Sequence, residues 1–168
     1  HVDDRIRPTV LRLEDHAVIR CHDWDQDGDL DLFVAGFASN NSGNRLFRNN
    51  GDETFTDMTA SIGLFAGISG TSGFAPRFQD MDGDHYPELL LVADFGTSHY
   101  FRNNTDGTFT EMNNSSNTAQ EENGMGQTVG DYNNDGHPDL YVANMWSNAG
   151  NRITLQKNFL PGADKATR

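Results

Sequence analysis

The chain has 168 residues, and its 25 acidic against 12 basic side chains give a formal net charge of −13. An acidic surface of this kind repels phosphate backbones, so we do not expect a nucleic-acid partner. No apolar run approaches the roughly 20 residues of a membrane-spanning helix, so membrane insertion is not expected either. The 17 glycines, with abundant Asn, Asp, Ser and Thr, favour short strands joined by turns over a helical bundle.

Three acidic loops, here named the first, second and third loop, carry oxygen-bearing side chains at positions 1, 3, 5 and 9. They start at Asp23, Asp80 and Asp131, which are 57 and 51 residues apart. Alternating oxygen donors on a tight loop suit a hard cation, since Ca²⁺ takes six to eight oxygens at about 2.3–2.6 Å. A single such loop could be a plain turn, but three loops with the same spacing favour a metal, because up to four clustered carboxylates would repel one another without a cation. We therefore predict about three Ca²⁺ sites.

Other kinds of metal site fit the loops less well. An EF-hand needs a bidentate Glu at position 12 and flanking helices, whereas position 12 is Val34, Leu91 or Val142 and a strand-like run follows. Zinc sites use Cys and His ligands, and the loops lack Cys. Magnesium demands a stricter octahedron than these crowded carboxylates provide. The side chains of His85 and His137 are expected to fill turns and point away from the cation.

The segments around the loops have the pattern of short strands. One strand is predicted before each loop and one after it, at Ala17–Arg20 and Leu32–Ala35, Ala75–Phe78 and Leu89–Ala93, and Gln127–Gly130 and Leu140–Ala143. The strands after the loops are apolar enough for burial on both faces. A hairpin at Phe47–Met58 returns at Phe101–Met112, a constant offset of 54, and Gly150–Ile153 resembles Gly43–Leu46 in the third unit. About four short strands per unit is typical of a β-propeller blade.

These loops and hairpins resemble the FG-GAP/VCBS repeat family, the propeller blades of integrin alpha-subunit heads and many secreted bacterial proteins. The hairpins and the run Asn144–Arg152 look more narrowly like the cartilage acidic protein/UnbV-like branch. The second loop departs from the family pattern at Gly83, His85 and Glu88. The resemblance implies side-chain ligation by Asp23, Asp25, Asp27 and Asp31, by Asp80, Asp82, Asp84 and Glu88, and by Asp131, Asn133, Asp135 and Asp139, with backbone carbonyls from Asp29, Tyr86 and His137.

The predicted fold is all-β, with about three blades of four antiparallel strands in one repeat region over residues 1–168. The approximate blade bounds are 15–62, 63–118 and 119–168. Propellers close with four to eight blades. We therefore expect either part of a longer propeller or copies that complete a ring by pairing open blade edges.

The predicted function is that of a non-catalytic, calcium-binding module, secreted or at the cell surface, for adhesion or for binding a protein or glycan ligand. Contact surface is expected at Ala38–Asn44, Gly63–Phe74 and Asn113–Gly126. One alternative is a self-assembling subunit of an extracellular ring or fibre. Another is a fragment of a calcium-dependent polysaccharide lyase, for which His16, His99 and Tyr100 are candidate bases.

Several single residues carry weaker expectations. Cys21 is the only cysteine, so no intrachain disulfide can form, and it is predicted to be a small buried residue. Aromatic residues Phe65, Phe74 and Trp146 are predicted to lie in the core. Four Asn-x-Ser/Thr sequons leave glycosylation open, at Asn40, Asn103, Asn113 and Asn114.

Overall fold

The computed structural model describes residues 17–36, 43–116 and 124–144. Within these residues the fold is all-β, as predicted, and no helix is long and apolar enough to cross a bilayer. Three antiparallel sheets contain four, four and two strands. The strands are β1 Val18–His22, β2 Asp31–Ala35, β3 Arg45–Asn49, β4 Phe55–Asp57, β5 Gly73–Gln79, β6 Glu88–Ala93, β7 His99–Asn103, β8 Phe109–Glu111, β9 Gly124–Gly130 and β10 Asp139–Asn144, and the one-turn helices are α1 Phe65–Ile68 and α2 Asn113–Ser116.

The first and second sheets are copies of one another, each a meander of four strands in chain order. Their registers agree, because Leu32 lies opposite Phe47 in the first sheet and Leu89 lies opposite Phe101 in the second. The third sheet holds β9 and β10, equivalent to the first two strands of the others. The resemblance at Gly150–Ile153 lies outside the described residues. The sheets are consistent with blades of a partial propeller.

Each acidic loop joins the first strand of a sheet to the second. Each full sheet also ends in a hairpin whose turn is closed in the same way. Asn50 N–H donates to Thr54 O in the first sheet and Asn104 N–H donates to Thr108 O in the second, both at 3.0 Å. The constant offset of 54 in the sequence is therefore a repeated turn structure.

The hydrophobic core lies between the first two sheets. Phe33 of β2 meets Phe78 of β5 edge to face, with ring centroids 6.3 Å apart. Leu89 and Leu91 of β6 are completely buried beside them. The strand β6 is buried at all six positions, as predicted, because the first and third sheets lie on either side of it. The prediction of burial on both faces is wrong for β10, which is largely exposed.

The prediction that Cys21 is buried is wrong, since its side chain is exposed on β1. Cys21 lies on the face of the first sheet that is turned away from the second, where no other described sheet packs. The side chain of Phe74 is half-buried, while those of Phe65 and Trp146 lie outside the described part of the chain.

The segment Gly63–Phe74 offers little of the contact surface expected of it, because Leu64 and Ile68 are buried in the core. Most of the expected contact segment Ala38–Asn44 falls on residues 37–42, and half of Asn113–Gly126 falls on residues 117–123. Those ranges lie outside the described residues.

Candidate metal centres

The three acidic loops share one hydrogen-bond network, although their sequences differ. In each, a carboxylate oxygen at position 1 accepts the backbone N–H of position 6. The donor and acceptor pairs are Gly28 and Asp23 at 3.0 Å, His85 and Asp80 at 3.0 Å, and Gly136 and Asp131 at 2.9 Å. These bonds fold each loop back on its first residue.

The side chains at positions 3 and 5 accept the backbone N–H groups two residues further on. At position 3 the bonds run from Asp27 to Asp25, Asp84 to Asp82 and Asp135 to Asn133. At position 5 they run from Asp29 to Asp27, Tyr86 to Asp84 and His137 to Asp135. Local bonds of this kind turn successive side-chain oxygens toward one side of a loop.

The carboxylate at position 9 ties the loop to its sheet. In each loop it accepts the backbone N–H of position 2. The donor and acceptor pairs are Trp24 and Asp31 at 3.2 Å, Met81 and Glu88 at 2.7 Å, and Tyr132 and Asp139 at 3.0 Å. In the two full sheets its other oxygen accepts an amide of the third strand, from Asn49 to Asp31 at 2.8 Å and Asn103 to Glu88 at 3.3 Å. Sequence spacing gave no signal for this second role, which depends on the third strand.

Positions 4 and 6 have positive φ in every loop. The angles are 60° at Gln26 and 96° at Gly28, 83° at Gly83 and 74° at His85, and 60° at Asn134 and 87° at Gly136. The second loop therefore has the same backbone conformation as the others, with glycine at position 4 and not at position 6. The side chain of His85 is 90% exposed, but its Nδ1 lies 3.9 Å from Oδ2 of the candidate ligand Asp80, so the prediction that it points away from the loop's carboxylates is not confirmed.

Replacing His85 by glycine should stabilise the protein. Placing a non-glycine residue in the left-handed region raises the free energy of the folded state by roughly 1–2 kcal/mol. Glycine avoids this strain, but its greater freedom in the unfolded chain offsets part of the gain in stability. We expect His85→Gly to raise the free energy of unfolding by about 0.5–1 kcal/mol, measured by urea denaturation. The matched control is Gly28→His at the same loop position, which should destabilise, since only backbone strain opposes a side chain there. A destabilising His85→Gly would show that the imidazole itself supports the loop.

Two of the loops bring three carboxylates into a group that could hold a metal ion. Ligand oxygens of Asp23, Asp25 and Asp27 lie within 4.8 Å of one another, as do those of Asp80, Asp82 and Glu88. Asp84 and Asp31 remain in the hydrogen-bond networks of their loops but lie outside these groups. Among the described residues the third loop forms no such group, and its Asn133 amide instead donates to Asp135 at 3.0 Å.

The first loop fits a cation at one atom in particular. Asp23 Oδ1 is buried and has no hydrogen-bond donor among the described residues. A buried carboxylate oxygen without a partner is costly. A bound cation beside Asp25 and Asp27 would satisfy it, so the residues present fit an oxygen-ligated metal ion.

Burial raises the pKa of the carboxylates that close the first two loops. The pKa of Asp31 rises from 3.8 to about 6, because burial and the charges of Asp25 and Asp27 outweigh the N–H groups that Asp31 accepts. Burial also raises the pKa of Glu88, with a further contribution from Asp82, and that of Asp25. The crowded negative charge is therefore unfavourable in the protein alone, and a divalent cation would relieve it.

In the third loop the one resolved pKa shift has the opposite direction. The pKa of Asp135 is lowered, chiefly by the backbone N–H of His137 and the side-chain amide of Asn133. All nine of its positions are exposed or half-buried. The third loop thus keeps the backbone of the others but stabilises its fifth side chain with internal donors.

The candidate bases for polysaccharide cleavage are occupied or unsuited where the structure describes them. His99 lies between Glu111, whose Oε1 is 2.7 Å from Nδ1, and Thr71, whose Oγ1 is 3.2 Å from Nε2. Burial raises the pKa of Tyr100 to about 12, with the charge of Glu88 adding to the shift. His16 lies outside the described residues.

Two of the sequon asparagines have structural roles. Asn103 is 1% exposed, and its amide donates to Trp24 O at 3.0 Å and to Pro87 O at 3.3 Å. A glycan would replace one of these two N–H donors and has no room at a buried nitrogen, so we do not expect the folded protein to carry one there. The amide of Asn113 likewise donates to Ser98 O at 3.0 Å. Asn40 and the side chain of Asn114 lie outside the described part.

A comparison with family models finds one described as FG-GAP-like repeat, which matches residues 23–91 and 80–142. The matched stretches contain all three acidic loops, the whole second sheet and every strand of the first sheet except β1. No curated protein matches the chain in a sequence search. The narrower likeness to the cartilage acidic protein/UnbV-like branch stays a prediction. Because the matches together span well over half of the sequence, the chain belongs to the FG-GAP-like repeat family.

Proposed function

We propose that this protein is a non-catalytic, calcium-stabilised β-propeller module that works outside the cell. The observation that carries the proposal is the single hydrogen-bond network shared by the three loops. That network folds each loop back on its first residue, and in two loops it leaves crowded carboxylates that a cation would neutralise.

Calcium is the ion that best suits these donors. All of the candidate ligands offer oxygen, which favours hard cations over zinc. The loops are tight turns with up to four carboxylates, and calcium tolerates a variable number of oxygens better than magnesium does. Sites of modest affinity, about 10⁻⁴–10⁻³ M, are typical of extracellular modules. The proposed location outside the cell is supported by membership of the FG-GAP-like repeat family.

Calcium in the first loop would act on the packing between sheets. Trp24 lies between the candidate ligands Asp23 and Asp25, and its ring packs on Phe109 of the second sheet with centroids 5.5 Å apart. Its carbonyl oxygen accepts the amide of Asn103 at 3.0 Å. A cation that holds the first loop would therefore also fix the residue that joins the two sheets.

The biological role proposed for the module is adhesion or capture of a protein or glycan ligand. This role is supported by membership of the FG-GAP-like repeat family. It also suits a fold in which the proposed metal loops stabilise the sheets, so that the segments connecting the sheets can differ in sequence. The engaged His99 and the raised pKa of Tyr100 favour binding over catalysis.

The calcium part of the proposal is tested by calorimetric titration of the metal-free chain. We expect about three calcium ions per chain, and Asp23→Asn, Asp80→Asn and Asp131→Asn should each remove one, because position 1 is a ligand in every loop. Asp52→Asn is the matched control, since Asp52 is an exposed hairpin residue that accepts Thr54 N–H. If the loop variants bind as much calcium as the Asp52 variant, the loops are not the sites.

A further inference from the structure

The junction between the first and second sheets has a defined chemistry. The rear face of the first sheet, defined here by Trp24 and Phe33, packs against the front face of the second, defined by Phe78, Asn103 and Phe109. Trp24 and Phe33 are at most 2% exposed, and Phe109 is 5% exposed. An amide bond from Asn103 to Trp24 O fixes the register.

The third sheet repeats the rear face without a described partner. Tyr132 is equivalent to Trp24, because each donates its backbone N–H to the carboxylate at position 9. Tyr141 is equivalent to Phe33, two residues after that carboxylate. Tyr132 is 83% exposed and Tyr141 is 67% exposed. Both rings line a groove on the third sheet.

The first sheet repeats the front face in the same way. Phe55 lies opposite Asn49 as Phe109 lies opposite Asn103. Cys21 occupies the place of Phe78, since the two lie opposite Leu32 and Leu89. Phe55 and Asn49 are half-buried, and Cys21 is exposed.

The front face of the first sheet and the rear face of the third sheet are therefore equivalent to the two faces that meet between the first and second sheets. The second and third sheets also meet front to rear, since Gln127 of β9 donates to the backbone oxygens of Ala75 and, at 3.0 Å, Leu90. The same stacking direction is therefore used twice among the described residues.

We propose that two copies of this chain bind one another through these faces, with the front face of one copy on the rear face of the other. Phe55 packs on the partner's Tyr132, the Asn49 amide donates to the Tyr132 carbonyl, and Cys21 lies beside Tyr141. The exchange of Phe78 for Cys21 leaves room for the larger tyrosine. The contact is between faces, which differs from the pairing of open blade edges expected from the sequence.

Two such contacts close a dimer about a twofold axis. Front-to-rear contacts form rings when the rotation closes, and the acidic loops described in two copies number six, within the four to eight blades of known propellers. The inference rests on the proposed propeller module but not on the identity of its cation.

The test is a molar-mass measurement together with a disulfide trap, both in calcium. We expect a mass of about 37 kDa, twice the 18.6 kDa of one chain, with dissociation on dilution. Tyr141→Cys should form a disulfide with the native Cys21 of a second copy under mild oxidation. Ala60→Cys, at an exposed turn residue, is the matched control and should give little cross-linked product.

Phe55→Ala separates the contact from the fold. It should abolish the dimer and leave the melting temperature of the monomer nearly unchanged, whereas Phe109→Ala, its equivalent in the buried junction, should lower the melting temperature clearly. A wild-type chain that stays monomeric with calcium bound overturns the self-association while leaving the metal sites standing. A dimer in which Tyr141→Cys cross-links no better than Ala60→Cys overturns it in favour of edge pairing.

Discussion

Removing calcium should destabilise this protein by most of its folding free energy. At a free calcium concentration 100 times the dissociation constant, each site contributes about 2.7 kcal/mol, so three sites contribute about 8 kcal/mol. A domain has only about 5–15 kcal/mol in total. We expect the melting temperature to fall steeply when metal is removed with a chelating resin, and to return when calcium is restored.

Trp24 provides a local readout of this loss. The chain has two tryptophans, so Trp146→Phe leaves Trp24 as the only indole. Trp24 is 2% exposed and lies between two candidate ligands, so its emission should shift to the red as the metal-free loop opens. Magnesium at the same concentration is the control and should restore little of the stability. Equal melting curves with chelator and with calcium would contradict a structural role for the ion.

The pH dependence of stability should reverse sign when calcium is removed. In the metal-free protein the pKa of Asp31 is about 6, against 3.8 for an unperturbed aspartate. Between these values the folded state holds a proton that the unfolded state has lost, so stability falls as pH rises. For Asp31 alone the fall amounts to about 2 kcal/mol between pH 4 and 6. The raised pKa values of Glu88 and Asp25 act in the same direction.

With calcium bound the opposite slope is expected. The ion binds deprotonated carboxylates, so protons compete with it and stability rises with pH over the same range. Urea denaturation at several pH values, with and without calcium, measures both slopes. Asp31→Asn is the control and should flatten the metal-free slope. The lowered pKa of Asp135 acts below pH 3.8, outside this range. A metal-free protein that gains stability between pH 4 and 6 would contradict the account.

The repeats were visible in the sequence because local chemistry determines them. Oxygen side chains at alternating positions, and glycine or asparagine at four of the six left-handed positions, form the loop from within nine residues. The apolar run after each loop becomes the second strand of its sheet for the same local reason. These features need no knowledge of what packs on them.

Features that depend on neighbouring sheets were missed. Cys21 has the size and polarity of a core residue, yet its exposure follows from which face of the first sheet meets the second. Asn103 appears in the sequence as a sequon residue, whereas in the structure it joins two sheets. The departure at His85 also proved smaller than the sequence indicates, because the backbone at that position is the one that Gly28 and Gly136 adopt.

The most direct test is a crystal structure of the chain grown in calcium, with anomalous scattering used to locate the ions. The account predicts a calcium ion in each loop, about 2.3–2.6 Å from the side-chain oxygens at positions 1, 3 and 5 and from the carbonyls of Asp29, Tyr86 and His137. In the first loop the ion should contact Asp23 Oδ1, the buried oxygen that lacks a donor. Loops that hold the same hydrogen bonds and contain no anomalous peak would contradict it.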